Sequence, residues 1–247
     1  MALIHSFEDE GNWLFKRRGF IPLVLFLLAV PAVYFTDYSS LDPALLTIIN
    51  YLAVILSIAG FAVRAYTIGT TPRGTSGRNT DKQVAEQLNS SGIYSVVRHP
   101  LYLGNYLMWI GIVLFTKNFS FTIIVSLLYW IYYERIMFAE ERFLEKKFGE
   151  GYLEWSKKVP AFIPRMSGFR KSEVSFSLKS VLRREYSGVL ATVIGFVYVE
   201  ALMGYFQWHT FHVGEDFLMA LGAASVAALL LRSLKHYTKV LDEEGRS

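Results

Sequence analysis

Residues 44–63 run for about twenty positions without one charged side chain, enough at about 1.5 Å per helical residue to cross a hydrocarbon core of about 30 Å. Further apolar runs follow the same logic at residues 19–35, 101–116, 119–133, 188–208 and 217–231. They are too long for the core helices of a soluble domain and too unbroken for alternating strands. The chain is 53% hydrophobic and only 19% charged, with a mean hydropathy of +0.31, which excludes an ordinary water-soluble globule. The expected fold class is all-α, a polytopic helical membrane protein of about six transmembrane helices.

Charge placement gives the sidedness. With the N-terminus inside, the outer loops are residues 36–43, 117–118 and 209–216, and of 25 Lys and Arg residues only Lys117 falls there. Those loops hold Asp37, Asp42, Glu215 and Asp216 instead. Both termini are therefore expected in the cytoplasm, and membrane topology accounts for the net charge of +4 without a nucleic-acid partner. The first run follows Lys16, Arg17 and Arg18, but Val30-Pro31-Ala32 is a poor cleavage site and more spans follow, so it reads as a retained helix. The first eighteen residues, with Trp13, Leu14 and Phe15, suit either an interfacial helix or a disordered tail. The absence of cysteine excludes disulfides, thiolate metal sites and a cysteine nucleophile.

Most polar residues lie in two cytoplasmic segments, 67–100 and 134–184. The first holds a loop from Gly69 to Asn79 with three glycines, four hydroxyls, Arg73 and Arg78, which suits an anion but lacks the Gly-Lys-Ser/Thr ending of a nucleotide loop. Thr80 and Gln83 form a capping-box pattern that predicts a short helix through Leu88. Beyond it, Arg98, His99 and Pro100 stand at the mouth of the third span, where a helix N-terminus favours a carboxylate or phosphate. In the second segment Glu140 and Glu141 lie about one turn past the membrane boundary, where adjacent carboxylates call for a cation. Taken singly, these features also suit an interfacial anchor and a solvated helix surface.

Together the pieces resemble the membrane methyltransferases that include isoprenylcysteine carboxyl methyltransferase and the phospholipid methyltransferases. The pattern comprises Gly92-Ile93-Tyr94, Arg98-His99-Pro100-Leu101-Tyr102-Leu103-Gly104, a helical hairpin, Glu140-Glu141, Phe148-Gly149 with Tyr152, and Val159-Pro160-Ala161-Phe162-Ile163-Pro164. The resemblance divides the chain into an N-terminal segment with the first membrane helices (1–58), a methyltransferase core (59–168) and a C-terminal linker and hairpin (169–247). It implies S-adenosylmethionine as cofactor at the cytosolic face, held by Tyr94, Arg98, His99, Pro100, Leu101, Tyr102, Glu140 and Glu141. A sulfonium and an ammonium would face the glutamates, and a carboxylate the Arg-His helix end.

Arg73-Gly74-Thr75-Ser76-Gly77-Arg78-Asn79-Thr80 is similar to a bacterial branch that methylates the 1-phosphate of lipid A, which implies a bacterial inner membrane. The implied reaction is O-methylation of an anionic lipid headgroup, with Arg64 and Arg135 as catalytic candidates and Arg73, Arg78 and Asn105 as substrate ligands. Arg135 lies near the substrate arginine of the carboxyl-methylating relatives, one position out of register. The alternatives are methylation of a prenylcysteine carboxylate or a phospholipid amine, a nicotinamide-dependent membrane reductase, and a non-enzymatic transporter. Glu200, inside an apolar run, suits a helix-helix hydrogen bond, a dimer contact or a site role. His209 and His212 lack a third ligand, so no metal is expected.

Overall fold

The computed structural model describes residues 2–20, 23–72, 74–75 and 83–246. Among these it contains eight α-helices: α1 (Leu3–Arg17), α2 (Val24–Tyr34), α3 (Pro43–Gly69), α4 (Pro100–Phe115), α5 (Phe119–Phe148), α6 (Glu150–Ser156), α7 (Leu178–Trp208) and α8 (Glu215–Tyr237). Polar residues set the helix ends. Asp42 caps α3 by accepting from the N–H groups of Ala44 and Leu45 at 2.8 and 3.1 Å, and Pro43 opens the first turn. Asn118 caps α5 through Phe121 N–H at 2.8 Å, and Gly149, at φ +53°, ends it.

Four helices, α3, α5, α7 and α8, are long and apolar enough to cross a membrane. The six-span expectation holds for these four; α2 and α4 are shorter. Eleven residues of α2 reach about 16 Å, and the sixteen of α4 about 24 Å, less than a hydrocarbon core. Pro100 starts α4 and Thr116 closes it, so its length is set at both ends. Two of the loops assigned to one side, 36–43 and 117–118, meet at one end of the bundle. Tyr38 donates to Thr116 O at 3.0 Å, Asn118 to Ala32 O at 3.1 Å, and buried Lys117 lies 3.4 Å from Met203 Sδ in α7.

The tightest packing is between α3 and α4. A Cβ on Gly60 would stand 2.5 Å from Gly104 O, and one on Gly104 would stand 2.5 Å from Arg64 Cγ and 2.8 Å from Gly60 O. Gly111 lies as closely against Ser57 and Ala53, and Ser57 donates to Met108 O at 3.0 Å. Small residues let the backbones approach, which is how helices associate where lipid removes any hydrophobic gain between them. α7 crosses this pair through Phe196, Val199 and Met203, packed with Ile49, Ala53 and Phe115.

Of the first eighteen residues, Leu3–Arg17 form a helix. α1 lies along α5, with Gly11 against Arg135 O and Ala139, Phe7 edge-on to Phe138, and Phe15 only 3% exposed. The helix expected through Leu88 is absent over Gln83–Leu88, and Thr80 lies outside the described residues. A long-range bond wins locally: Glu86 N–H donates to Gly74 O at 2.9 Å, so it is lost to any helical turn.

The glycine seam has a measurable consequence. Gly104→Ala is expected to lower stability by about 1–3 kcal/mol through overpacking. Gly151→Ala, where an added Cβ meets nothing within 4 Å, is expected to leave it unchanged or slightly raised. Thermal unfolding of both variants in detergent reads the difference.

Candidate active site

Between α3 and α4 the chain turns at Gly92, whose φ of +58° favours glycine, and a single 3-10 turn at Ile93–Ser95 leads into residues 96–99. That stretch is strapped to the one after α6. Arg98 N–H donates to Pro160 O at 2.9 Å, His99 N–H to Ala161 O at 3.1 Å, and Arg165 N–H to Val96 O at 3.0 Å. Trp155 Nε1 donates to Tyr94 O at 3.1 Å. The Pro160-Ala161 motif thus works through its carbonyls, which hold the backbone that carries His99.

At this corner the two distant motifs meet. Tyr102 OH donates to Glu140 Oε1 at 2.7 Å, and His99 Nδ1 lies 3.5 Å from Glu140 Oε2. His99 Nε2 lies 3.0 Å from Glu141 Oε1, the oxygen that Arg98 Nη2 also reaches at 3.0 Å, while Arg98 Nη1 donates to Ser156 O at 2.7 Å. The imidazole, 6% exposed and stacked on Tyr102, therefore stands between two carboxylates. Burial opposes its protonation, but the hydrogen bonds and negative charges of Glu140 and Glu141 outweigh burial and raise its pKa above 6.5. Burial pushes Tyr94 up to about 12 against the pull of Arg184, so this phenol stays a hydrogen-bond donor.

These residues wall a cavity of about 380 Å³, within the usual range for small-ligand pockets. Tyr94, Arg98, His99, Pro100, Leu101 and Tyr102 form one side, and Tyr133, Glu140, Phe143 and Leu144 of α5 the other. Arg64 and Asn105 line the end nearer the membrane core. There Arg64 Nε and Nη2 each donate to Glu185 of α7 at 2.7 Å, and Nη1 donates to Asn105 Oδ1 at 2.5 Å. The Arg64 guanidinium thus ties α3 to α7 through a bidentate ion pair and to α4 through Asn105, with Glu185 only 2% exposed.

The structure brings most of the expected residues into this one hollow and places others elsewhere. Glu141 stands behind His99, on the Arg98 side, outside the lining. Arg135, expected at the reacting groups, lies on α1: it pairs with Glu10 at 3.2 Å and Glu134 at 2.8 Å, and covers the Phe7 ring. The helical repeat explains this correction. Tyr133 and Glu140, seven residues apart, share a face of α5, whereas Arg135 is rotated about 140° from Glu140. Arg73 and Arg78 lie outside the described residues. Phe15, Arg18, Arg184 and Glu185 also line the cavity. The signal for them was the basic residues flanking two spans, which topology alone had absorbed.

The profile of the phospholipid methyltransferase family matches residues 45–151. Among curated proteins, the chain is 34% identical to the cobalt-zinc-cadmium resistance protein CzcN of Cupriavidus metallidurans, over 54% of this chain and 56% of that protein. It is 30% identical to the protein-S-isoprenylcysteine O-methyltransferase of Schizosaccharomyces pombe, over 47% of this chain and 53% of the relative. A Xenopus laevis protein of the same name is 34% identical over 36% of this chain and 31% of its own length. The chain thus spans about half the length of the first two relatives and less of the third. No solved structure matches. Among the described residues no group of three His, Cys, Asp or Glu is placed to hold a metal.

Two outcomes follow from the buried charges. Glu185→Gln is expected to cost roughly 3 kcal/mol in thermal unfolding, because it strands the Arg64 guanidinium. The raised pKa of His99 means that its charged form contributes stability in full below pH 6.5, and that this is lost as pH rises through the higher folded-state value. A midpoint measured against pH is expected to show this loss in the native chain, and His99→Gln to remove it.

Proposed function

We propose that this chain, whose residues 45–151 match the profile of the phospholipid methyltransferase family, transfers a methyl group from S-adenosylmethionine to an anionic oxygen on a lipid headgroup. The reaction is placed at the cytosolic face of a membrane, with both termini on that side. A lipid phosphate is the preferred acceptor, lipid A 1-phosphate in a bacterial inner membrane being the leading case. The single observation that carries the reading is the contact of Tyr102 with Glu140, at 2.7 Å, which joins two motifs far apart in sequence into one cavity wall.

The wall suits the cofactor's groups. Glu140 offers a carboxylate at the cavity surface for a cation. Leu101 and Tyr102, in the first turn of α4, have N–H groups with no intrahelical acceptor, and His99 adds no side-chain cap there. Arg98 Nε is buried without a hydrogen-bond acceptor, a further donor for a carboxylate beside that helix end. When bound, S-adenosylmethionine supplies an electrophilic methyl group on a positively charged sulfur. The protein's own part is to position, to exclude water and to balance charge. Tyr102 and Tyr133 line the cavity with rings tilted at 51° and 4.7 Å apart, and Glu185 holds Arg64 and hence Asn105 in one orientation toward the acceptor. No serine or cysteine nucleophile is needed, because the acceptor oxygen is itself the nucleophile.

The names of the Schizosaccharomyces and Xenopus relatives favour a second acceptor, a prenylated cysteine carboxylate. Both acceptors present an anionic oxygen on a lipidated molecule. Incubation of membranes with methyl-labelled S-adenosylmethionine separates them: a lipid phosphate heavier by one CH₂ unit supports the first, and a labelled protein fraction with unlabelled lipids the second. S-adenosylhomocysteine at a hundred times its Kd is expected to stabilise the purified chain by about 2.7 kcal/mol. Stabilisation by a nicotinamide nucleotide in its place would reassign the cavity to a reductase. Glu140→Gln and His99→Ala are each expected to lower methyl transfer at least tenfold, on the order of 1.4 kcal/mol; full activity in both would overturn the site.

A further inference from the structure

We infer that Asn105 is a specificity-determining residue: Glu185 and Arg64 turn its side-chain amide so that the N–H edge faces the cavity, where it admits an acceptor atom that carries lone pairs and no hydrogen. The inference rests on the methyl-transfer reading and deepens it, by naming the group that tells an oxyanion from an amine. Arg64 and Asn105 come from α3 and α4, within the profile match at 45–151, and Glu185 comes from α7, outside it.

Hydrogen-bond chemistry fixes the direction. A carboxylate can only accept and a guanidinium can only donate, so the bonds of 2.7 Å from Arg64 Nε and Nη2 to Glu185 run one way. Arg64 Nη1 meets the Asn105 amide at 2.5 Å, and because a guanidinium nitrogen has no lone pair to offer, the atom it meets is the amide oxygen. Nδ2 is left on the other edge, where it donates to Tyr133 OH at 3.5 Å. The Tyr133 oxygen is thereby an acceptor and keeps its own proton to donate. Asn105 and Tyr133 both line the cavity, so this chain of bonds opens onto it with donors.

Glu140 meets the opposite requirement elsewhere on the wall, where its carboxylate offers lone pairs to a cation. At 3.5 Å the bond from Asn105 to Tyr133 is long, which leaves the amide able to turn its donors to a better acceptor. A phosphate or carboxylate can rest one oxygen on these donors and leave another free to attack. The lone pair of that second oxygen forms the new O–C bond as the S–C bond breaks, the electron pair of the broken bond stays on sulfur, and no proton moves. An ammonium headgroup would set N–H against N–H, and it must also lose a proton before it can attack. Glu185 has both of its oxygens engaged by Arg64.

The test uses the full chain in detergent, loaded with S-adenosylhomocysteine and titrated calorimetrically with hexyl phosphate, hexanoate and hexylammonium in turn. The native chain is expected to bind at least one of the two oxyanions more tightly than the cation. Asn105→Leu, close in size and without donors, is expected to weaken the preferred oxyanion about tenfold at unchanged affinity for S-adenosylhomocysteine. Asn105→Asp, which replaces the donor edge by lone pairs, is expected to reverse the order in favour of hexylammonium, a gain that misfolding does not produce. Where Asn105→Leu fails to fold, Tyr133→Phe reports in its place by a smaller loss of the same sign. An oxyanion bound equally by the native, Asn105→Leu and Tyr133→Phe chains, all of them binding S-adenosylhomocysteine, overturns this inference alone. So does a native chain that binds neither oxyanion more tightly than hexylammonium. Failure of the native chain to bind S-adenosylhomocysteine overturns the methyl-transfer reading, and this inference with it.

Discussion

Charge cannot be buried under a helical bundle unless it is matched, and the architecture around the cavity is organised by that requirement. Arg98, His99, Glu140 and Glu141 interlock within hydrogen-bond reach, and Arg64 and Glu185 repeat the arrangement closer to the membrane core. Each cluster draws its members from different helices or from the loops between them. The same pairing that makes the charges tolerable therefore closes α4 onto α5, and α3 onto α7. The cavity is the space these two clusters leave between them.

Their geometry depends in turn on uncharged contacts. Gly60 and Gly104 bring α3 and α4 so close that Arg64 passes over Gly104 and meets the adjacent Asn105. The carbonyls of Pro160 and Ala161 hold the backbone of Arg98 and His99 from the other side. Ligand groups that are few and charged need this rigidity, because a side chain displaced by an ångström loses most of a charge-assisted hydrogen bond. The flanking helices α1 and α7 then complete the walls. The cavity thus joins residues inside the profile match at 45–151 to residues outside it.

Much of this was legible along the chain. The uncharged run at 44–63 and the shortage of lysine and arginine in three loops gave the all-helical membrane class, and two of those loops, 36–43 and 117–118, meet at one end. The Arg98-His99-Pro100 and Glu140-Glu141 motifs were visible as candidates because adjacent ionisable residues at the ends of apolar runs are costly without a purpose. Other residues gave no such signal. Arg135 resembles a site residue in sequence position, but one hundred and forty degrees of helical rotation turn it toward α1. Glu185 reads as one acid among basic residues at the start of a span, and only its contact with Arg64 reveals its part.

The sequence by itself determined the bilayer as solvent, the helical class, the common side of the polar segments and the two motifs that build the cavity. These are properties of composition and order, which hydropathy and charge report locally. The tertiary structure decided which charges pair, which arginines face the cavity and that α1 and α7 contribute to it. Those outcomes depend on how each helix is rotated and how closely it crosses its neighbour. Both are set by contacts between residues far apart in the chain, such as Gly60 with Gly104 and Arg64 with Glu185, to which no local pattern is sensitive.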